Sequence, residues 1–339
     1  MRGERISGLD GLRAVAIALV VAFHLHLPLT HGGWFGVDIF FVVSGYLITR
    51  QLLDPDCRWR VFMLRRLARV WPALLVMVAG TALIGLAPGT AALAAATFLT
   101  SPWIVLHAPD APEFVFTHTW TLAVELQFYL AWSGACLRLR HRRRLLGAGA
   151  VLVAVAGVAV QAWTATTDPS TAYFAPWCHC APLFLGAALA IFRPRVVTPI
   201  WLAITGVLVQ IPVADQFQLG GLLLGQLVAV VFAASVIAAA DHGRRGPVLT
   251  LLDSAPARWL GERSYSLYLW HPVLRNVLRH HGSSAWWLVL AASLVAADLS
   301  YRHVERPARA RLNRRIADRQ LAAHAAAAPN AALASSSRA

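Results

Sequence analysis

The sequence predicts an all-α polytopic transmembrane helix bundle of about ten spans with both termini cytoplasmic, and three observations predict it. Charged residues make up 14% of the chain and hydrophobic ones 58%; a soluble domain carries about 25% charge, and a water-facing surface cannot be built from so little. The apolar residues come in blocks long enough for a bilayer, which takes about 20 residues per helix, and a helix satisfies its own backbone polar groups there. The 30 basic residues are all arginine, and most of them lie between those blocks. The net charge of +14 therefore reads as a topology signal rather than as a nucleic-acid footprint, and no nucleic-acid partner is expected.

In chain order the blocks are 9–29, 33–53, 70–87, 91–108, 119–138, 145–163, 173–192, 197–213, 219–240, 262–281 and 284–303. Arg58, Arg60, Arg65, Arg66 and Arg69 separate the second from the third. Arg138, Arg140, Arg142, Arg143 and Arg144 follow the fifth, Arg193 and Arg195 the seventh, and Arg244 and Arg245 the ninth. These loops and the arginine-rich stretch after 303 are assigned to the cytoplasm. The segments 108–118, 164–172 and 213–218 contain no Arg or Lys and are assigned outside. Eleven crossings cannot satisfy this pattern. One of the blocks 70–87 and 91–108 is therefore re-entrant, interfacial or merged with its neighbour, leaving ten. The first block reads as a signal anchor, since no cleavable signal peptide is evident. Residues 1–316 form the membrane domain, and 317–339 are an Ala- and Ser-rich mobile cytoplasmic tail. Cys57, Cys136, Cys178 and Cys180 form no disulfide framework. Cys178-His179-Cys180 lacks a second ligand cluster and reads as small buried residues at a helix start, so no metal is expected. The glycines at 32, 33 and 36 read as close helix contacts.

Ionisable groups inside a span are costly and tend to be functional. Here they are Arg13, His24, Asp38, Glu125, His271 and Asp298. Eleven helical steps put Arg13 and His24 on nearly one face, roughly 16 Å apart along the axis. Arg13 is then a phosphate-binding guanidinium near the inner surface and His24 a general base; the structural alternative makes them a topology anchor and a packed histidine. Within Phe62–Pro72, Arg65 and Arg69 share a helix face at i, i+4 with Arg66 beside them. The three suit either the phosphates of a nucleotide-bearing donor or anionic lipid headgroups. Glu125 either orients His24 or takes a proton from an acceptor hydroxyl; its alternative is a structural pair with an arginine or a tyrosine, and Tyr129 is a candidate cavity or supporting residue. Asp38 has the same ambiguity. His271 ends the aromatic run Tyr265-Ser-Leu-Tyr-Leu-Trp270, which suits an interfacial belt, and it either lines a cavity or plays a structural part. Ser44 lacks the context of a nucleophile elbow and is a candidate cavity residue. Asp298 receives no role.

These segments, in order, resemble the membrane acyltransferase-3 family. The resemblance begins with Leu9-Asp-Gly-Leu-Arg-Ala-Val-Ala and the Arg13-to-His24 spacing. It continues through Gly33-Trp-Phe-Gly-Val-Asp-Ile-Phe-Phe-Val-Val-Ser-Gly-Tyr-Leu-Ile-Thr49, the arginine segment 62–72 and Trp120-Thr-Leu-Ala-Val-Glu125. It ends with Ser264-Tyr-Ser-Leu-Tyr-Leu-Trp-His271 and Tyr301-Arg-His-Val-Glu-Arg-Pro307. The resemblance implies a ten-helix O-acyltransferase of the bacterial cytoplasmic membrane. Its co-substrate is acyl-CoA, with no bound cofactor. Its acceptor is a hydroxyl of a sugar, a surface polysaccharide or a glycosylated natural product, and its surroundings are membrane lipids. The family's arginine–histidine motif falls on Arg13 and His24, and its arginine-rich motif on Arg65, Arg66 and Arg69. The family often has two adjacent glutamates where this chain has Glu125 and Leu126. Some members carry an extracytoplasmic esterase-like domain; without one, transfer is expected to finish in the membrane domain, by direct attack or through an acyl-histidine. The rival class is a proton-coupled transporter using His24, Glu125 and Asp38.

Overall fold

The computed structural model describes residues 6–86, 89–107, 115–282 and 285–319. Among them the chain is helical with no strand. The helices are α1 (Leu9–His24), α2 (Gly36–Leu52), α3 (Trp59–Leu83), α4 (Gly89–Ala96), α5 (Thr100–His107), α6 (Trp120–Leu139) and α7 (Arg143–Ala165). They continue with α8 (Pro169–Phe174), α9 (Ala181–Phe192), α10 (Ile200–Gln210), α11 (Leu219–Asp241), α12 (Pro247–Leu252), α13 (Ala255–His280) and α14 (Trp286–Ser300). A π turn, Tyr301–Glu305, leads from α14 into a further helical stretch that runs to residue 319. Most of the tail assigned to 317–339 lies outside the described residues, as do 108–114 of the first outward segment.

Small residues set the packing. Gly45 of α2 and Gly186 of α9 face each other's backbones: a Cβ at Gly45 would lie 1.9 Å from the Leu183 carbonyl oxygen, and one at Gly186 2.2 Å from that of Val42. The glycines that open α2 do the same against α1, where a Cβ at Gly33 would meet the Leu19 carbonyl oxygen at 2.3 Å and one at Gly36 that of Ala16 at 2.4 Å. The close contacts expected there are present. In a medium as apolar as leucine, such backbone approach is what drives helix association. The result is a central group of α1, α2, α9 and α13, with Leu12, Ile17, Phe35, Phe41 and Leu183 completely buried.

The periphery is the reverse. Trp163 and Leu152 of α7 are 77% and 69% exposed, and Trp201 of α10 is 69% exposed. An apolar rim around a polar interior is the surface of a membrane protein. The segments His31–Leu52, Arg143–Ala165 and Leu219–Asp241 are long and apolar enough to cross a bilayer, and Ala181–Phe192 and Ile200–Gln210 are shorter apolar helices. The two blocks within 70–108 differ in kind. The first is the C-terminal part of α3, whose 25 residues extend about 37 Å. The second is broken at Phe98, which has a φ of 59°, into α4 and α5 of 8 residues each. Each of these is about 12 Å long, short of a hydrocarbon core of about 30 Å.

The loops sort to two ends. At one, Asp241 accepts from Arg50 at 2.5 Å and from Arg193 at 2.7 Å, and Arg140 donates to the Pro55 carbonyl at 3.2 Å. At the other, the Gly32 amide donates to Ile211 at 2.6 Å, Trp34 Nε1 to Ala214 at 3.3 Å and Ser101 to Phe174 at 2.6 Å. The arginine-bearing loops thus gather together, and the described parts of the Arg-free segments lie at the opposite end.

Candidate active site

α1 and α13 run parallel along one seam: Gly261 abuts Asp10 at one end of it, and His271 and Arg275 reach His24 at the other. On α13, Ser264, Tyr268, His271 and Arg275 recur at i, i+4, i+7 and i+11, one face of a helix. That stripe runs beside the Arg13–His24 face of α1. The polar groups of the interior are arranged along it.

The Arg13 end of the seam opens into a cavity. Arg13, Ser44, Arg66, Arg69, Glu125 and Tyr129 all line it, together with Thr121, Ser264, Tyr265 and Tyr268. Six of the residues singled out from four separate sequence segments therefore share one space. The Ser44 hydroxyl donates to the Glu125 carboxylate. Arg66 is buried, donates to Gln51 at 2.9 Å and lies 5.6 Å from the centroids of both Phe62 and Tyr129. Ser264 is fully buried and its hydroxyl has no hydrogen-bond partner among the described residues.

A second, open groove of about 1360 Å³ adjoins the cavity at Arg66 and Arg69. Arg65 lines this groove and not the cavity, beside Arg69 as its i, i+4 spacing predicts. Arg58, Arg309 and Asn313 add to the wall. The groove lies at the arginine-rich end of the bundle, so one run of guanidinium groups leads inward from the surface. Phosphates are the ligands such a fork geometry suits best.

His24 and His271 do not line the cavity. They form a pair at the far end of the seam, with His271 Nε2 3.1 Å from His24 Nδ1 and ring centroids 5.0 Å apart. Between pair and cavity stands Tyr268, whose hydroxyl is 2.9 Å from that of Thr121 and donates to the His118 carbonyl. Arg275 donates to the His24 carbonyl at 2.8 Å. The aromatic run before His271 is not an interfacial belt: Tyr265 and Tyr268 are buried and face the cavity, because α13 is a central helix.

Asp38 belongs to neither place. Fully buried, it lies 2.7 Å from Nε2 of the equally buried His179, with Gln226 at 3.5 Å. Phe41, Trp120 and Tyr173 surround that imidazole. His179 is thus the carboxylate's partner, while Cys178 is buried and Cys180 caps α9. Among the described residues no group of His, Cys, Asp and Glu is arranged to hold a metal. Asp298 pairs with Arg263 at 2.7 Å and Arg302 at 2.9 Å, and Glu305 accepts from Ser266. His118 and Arg275 escaped the sequence reading, Thr121 and Tyr268 were read only as parts of longer segments, and His179 was read only as a buried residue at a helix start. The α13 periodicity from Ser264 to Arg275 was the one available signal for Tyr268 and Arg275.

The family described as acyltransferase domain matches residues 6–300 of the chain. A putative peptidoglycan O-acetyltransferase of Bacillus subtilis (strain 168) is 31% identical over an alignment covering 90% of this chain and 55% of that protein. A peptidoglycan O-acetyltransferase of Listeria monocytogenes is 28% identical, covering 90% and 56%. A putative O-acetyltransferase of Staphylococcus aureus (strain COL) is 29% identical, covering 90% and 57%. The chain thus spans about half the length of the curated relatives it matches. No solved structure matches it. Neither the relatives nor the geometry supports the proton-coupled transport alternative.

Proposed function

The chain belongs to the membrane acyltransferase-3 family, matched over residues 6–300, and from that premise we propose that it is an O-acyltransferase of the bacterial cytoplasmic membrane. Its donor is acyl-CoA, of which acetyl-CoA is the first choice. Its acceptor is a hydroxyl of a cell-surface glycan. The names of the relatives support an acetyl group and make peptidoglycan the first acceptor to test. The bundle crosses the membrane about ten times, with the arginine-bearing end and both termini in the cytoplasm.

The observation that carries this reading is the continuous run of guanidinium groups from the groove, through Arg66 and Arg69, to Arg13 in a cavity that also holds Glu125. A soluble donor with several phosphates and a long flexible arm fits such a passage. Arg65, Arg66 and Arg69 hold the phosphates at its mouth, and Arg13 draws the arm along the α1–α13 seam. Tyr268 swings aside, and the thioester reaches His24. The His24 imidazole takes the acceptor's hydroxyl proton while that oxygen bonds to the thioester carbonyl carbon. The tetrahedral intermediate collapses, the C–S bond breaks, and the sulfur receives the proton from His24. An ester and free CoA result. Glu125, tethered by Ser44, lies in the cavity on the near side of Tyr268 and not beside His24, so it flanks the path of the donor arm instead of orienting the imidazole.

The test is incubation of membranes containing the protein with labelled acetyl-CoA, followed by identification of the labelled glycan. His24→Ala at normal membrane abundance should abolish transfer, by at least the 10²–10⁴-fold typical of a lost general base. Arg65→Ala with Arg69→Ala should raise KM for acetyl-CoA. Transfer that survives His24→Ala, or an unchanged KM, removes the corresponding assignment.

A further inference from the structure

We propose that His271 is a positioning residue that fixes the tautomer of His24 and leaves Nε2 as its reactive atom; this rests on His24 being the base. The argument is one of proton placement. His271 Nδ1 lies 2.9 Å from the Leu267 carbonyl oxygen. A carbonyl can only accept, so Nδ1 carries the hydrogen, and the neutral ring keeps its lone pair on Nε2. That lone pair faces His24 Nδ1 at 3.1 Å. His24 Nδ1 is also 2.9 Å from the carbonyl oxygen of Val20. Both neighbours of this nitrogen are acceptors, so it too bears the hydrogen. By elimination, the lone pair of neutral His24 resides on Nε2.

The two carbonyls belong to residues four positions earlier on the same helices, so each ring folds back on its own turn. The arrangement is therefore built from α1 and α13 themselves and needs no loop. A buried neutral imidazole here occupies the place that an orienting acceptor takes behind a catalytic histidine elsewhere. When His24 takes a proton on Nε2, the imidazolium keeps its Nδ1–H directed at the lone pair of His271. No net proton need leave the pair during a turnover, since the departing sulfur takes the proton from Nε2.

The experiment compares two substitutions in the full chain. His271→Gln retains an acceptor oxygen near the position of the lost Nε2, whereas His271→Leu retains none. Both are first checked for folding by thermal unfolding in detergent. The expected result is a kcat for acetyl transfer lowered on the order of 100-fold in His271→Leu, with KM for acetyl-CoA within about two-fold, and a kcat for His271→Gln recovered to within about ten-fold of the parent. A folded His271→Leu with the parent kcat overturns the proposal, as does a folded His271→Gln that falls as far as leucine. Should His271→Leu fail to fold, ¹⁵N spectra of histidine-labelled protein decide, with His24 assigned by difference against His24→Ala: a scalar coupling across the hydrogen bond from His24 Nδ1–H to His271 Nε2 supports the proposal, and a protonated His24 Nε2, or a protonated Nδ1 with no such coupling, overturns it. The underlying reading fails separately, through turnover that persists in His24→Ala.

Discussion

Asp38 and His179 are both completely buried and bonded at 2.7 Å, and 141 residues of chain separate them. Such a pair contributes little net stability over an apolar one, but removing one partner strands the other in a dry interior. Asp38→Ala should therefore cost about 3–5 kcal/mol, read as a large fall in the unfolding midpoint of the detergent-solubilised protein. His179→Phe in the same chain should recover part of that loss, since both polar groups are then gone. A midpoint unmoved by Asp38→Ala would show the pair to be energetically idle. At this scale the sequence was legible where two polar groups share a helix. Arg13 and His24 could be related by counting turns, and so could Arg65 and Arg69. His179 and His118 could not, because their partners arrive from other helices and leave no spacing behind. Ser44 was found as a residue near the site, yet its bond to Glu125 joins two helices and was invisible.

Among the helices, the crossing of α2 and α9 sets how closely the walls of the bundle approach. Gly45→Ala places a methyl group 1.9 Å from a carbonyl oxygen that belongs to backbone and cannot turn away. The helices must separate, at a cost of about 1–3 kcal/mol or more. Gly80 of α3 has nothing within 4 Å of its would-be Cβ, so Gly80→Ala should gain up to about 1 kcal/mol from helix propensity alone. Opposite shifts in the unfolding midpoint are expected, and equal shifts would remove the packing argument. Helix positions were largely legible because apolar blocks and arginine boundaries mark them. The 91–108 block was the exception: Thr100-Ser101-Pro102 carries a helix-start signal, but the break itself falls at Phe98, which is not a residue that ordinarily favours positive φ. The short helices it forms pack beside α3 and α6 rather than continuing as one rod.

For the whole molecule, the proposed route of donor entry rests on the separation of the arginine-bearing loops at one end from the Arg-free segments at the other. Counting charges in the sequence predicts this separation, and the loop-to-loop bonds of Arg50, Arg193 and Asp241 agree with it. What no sequence count supplies is the joining of the groove to the cavity, since that depends on α3 leaning over α2, α6 and α13 so that Arg66 turns inward while Arg65 stays out. The sidedness itself can be measured. In a chain whose native cysteines have been replaced, the exposed positions Arg142, Thr167, Gln218 and Arg244 are changed to cysteine one at a time and treated with a membrane-impermeant maleimide. Thr167→Cys and Gln218→Cys should label in intact cells, and Arg142→Cys and Arg244→Cys only after the membrane is opened. Labelling of Arg142→Cys and Thr167→Cys from the same side would mean that α7 does not cross. If instead the two sets exchange sides, the spans stand but the groove faces away from the cytosol, where acyl-CoA is held, and the proposed route of donor entry is lost.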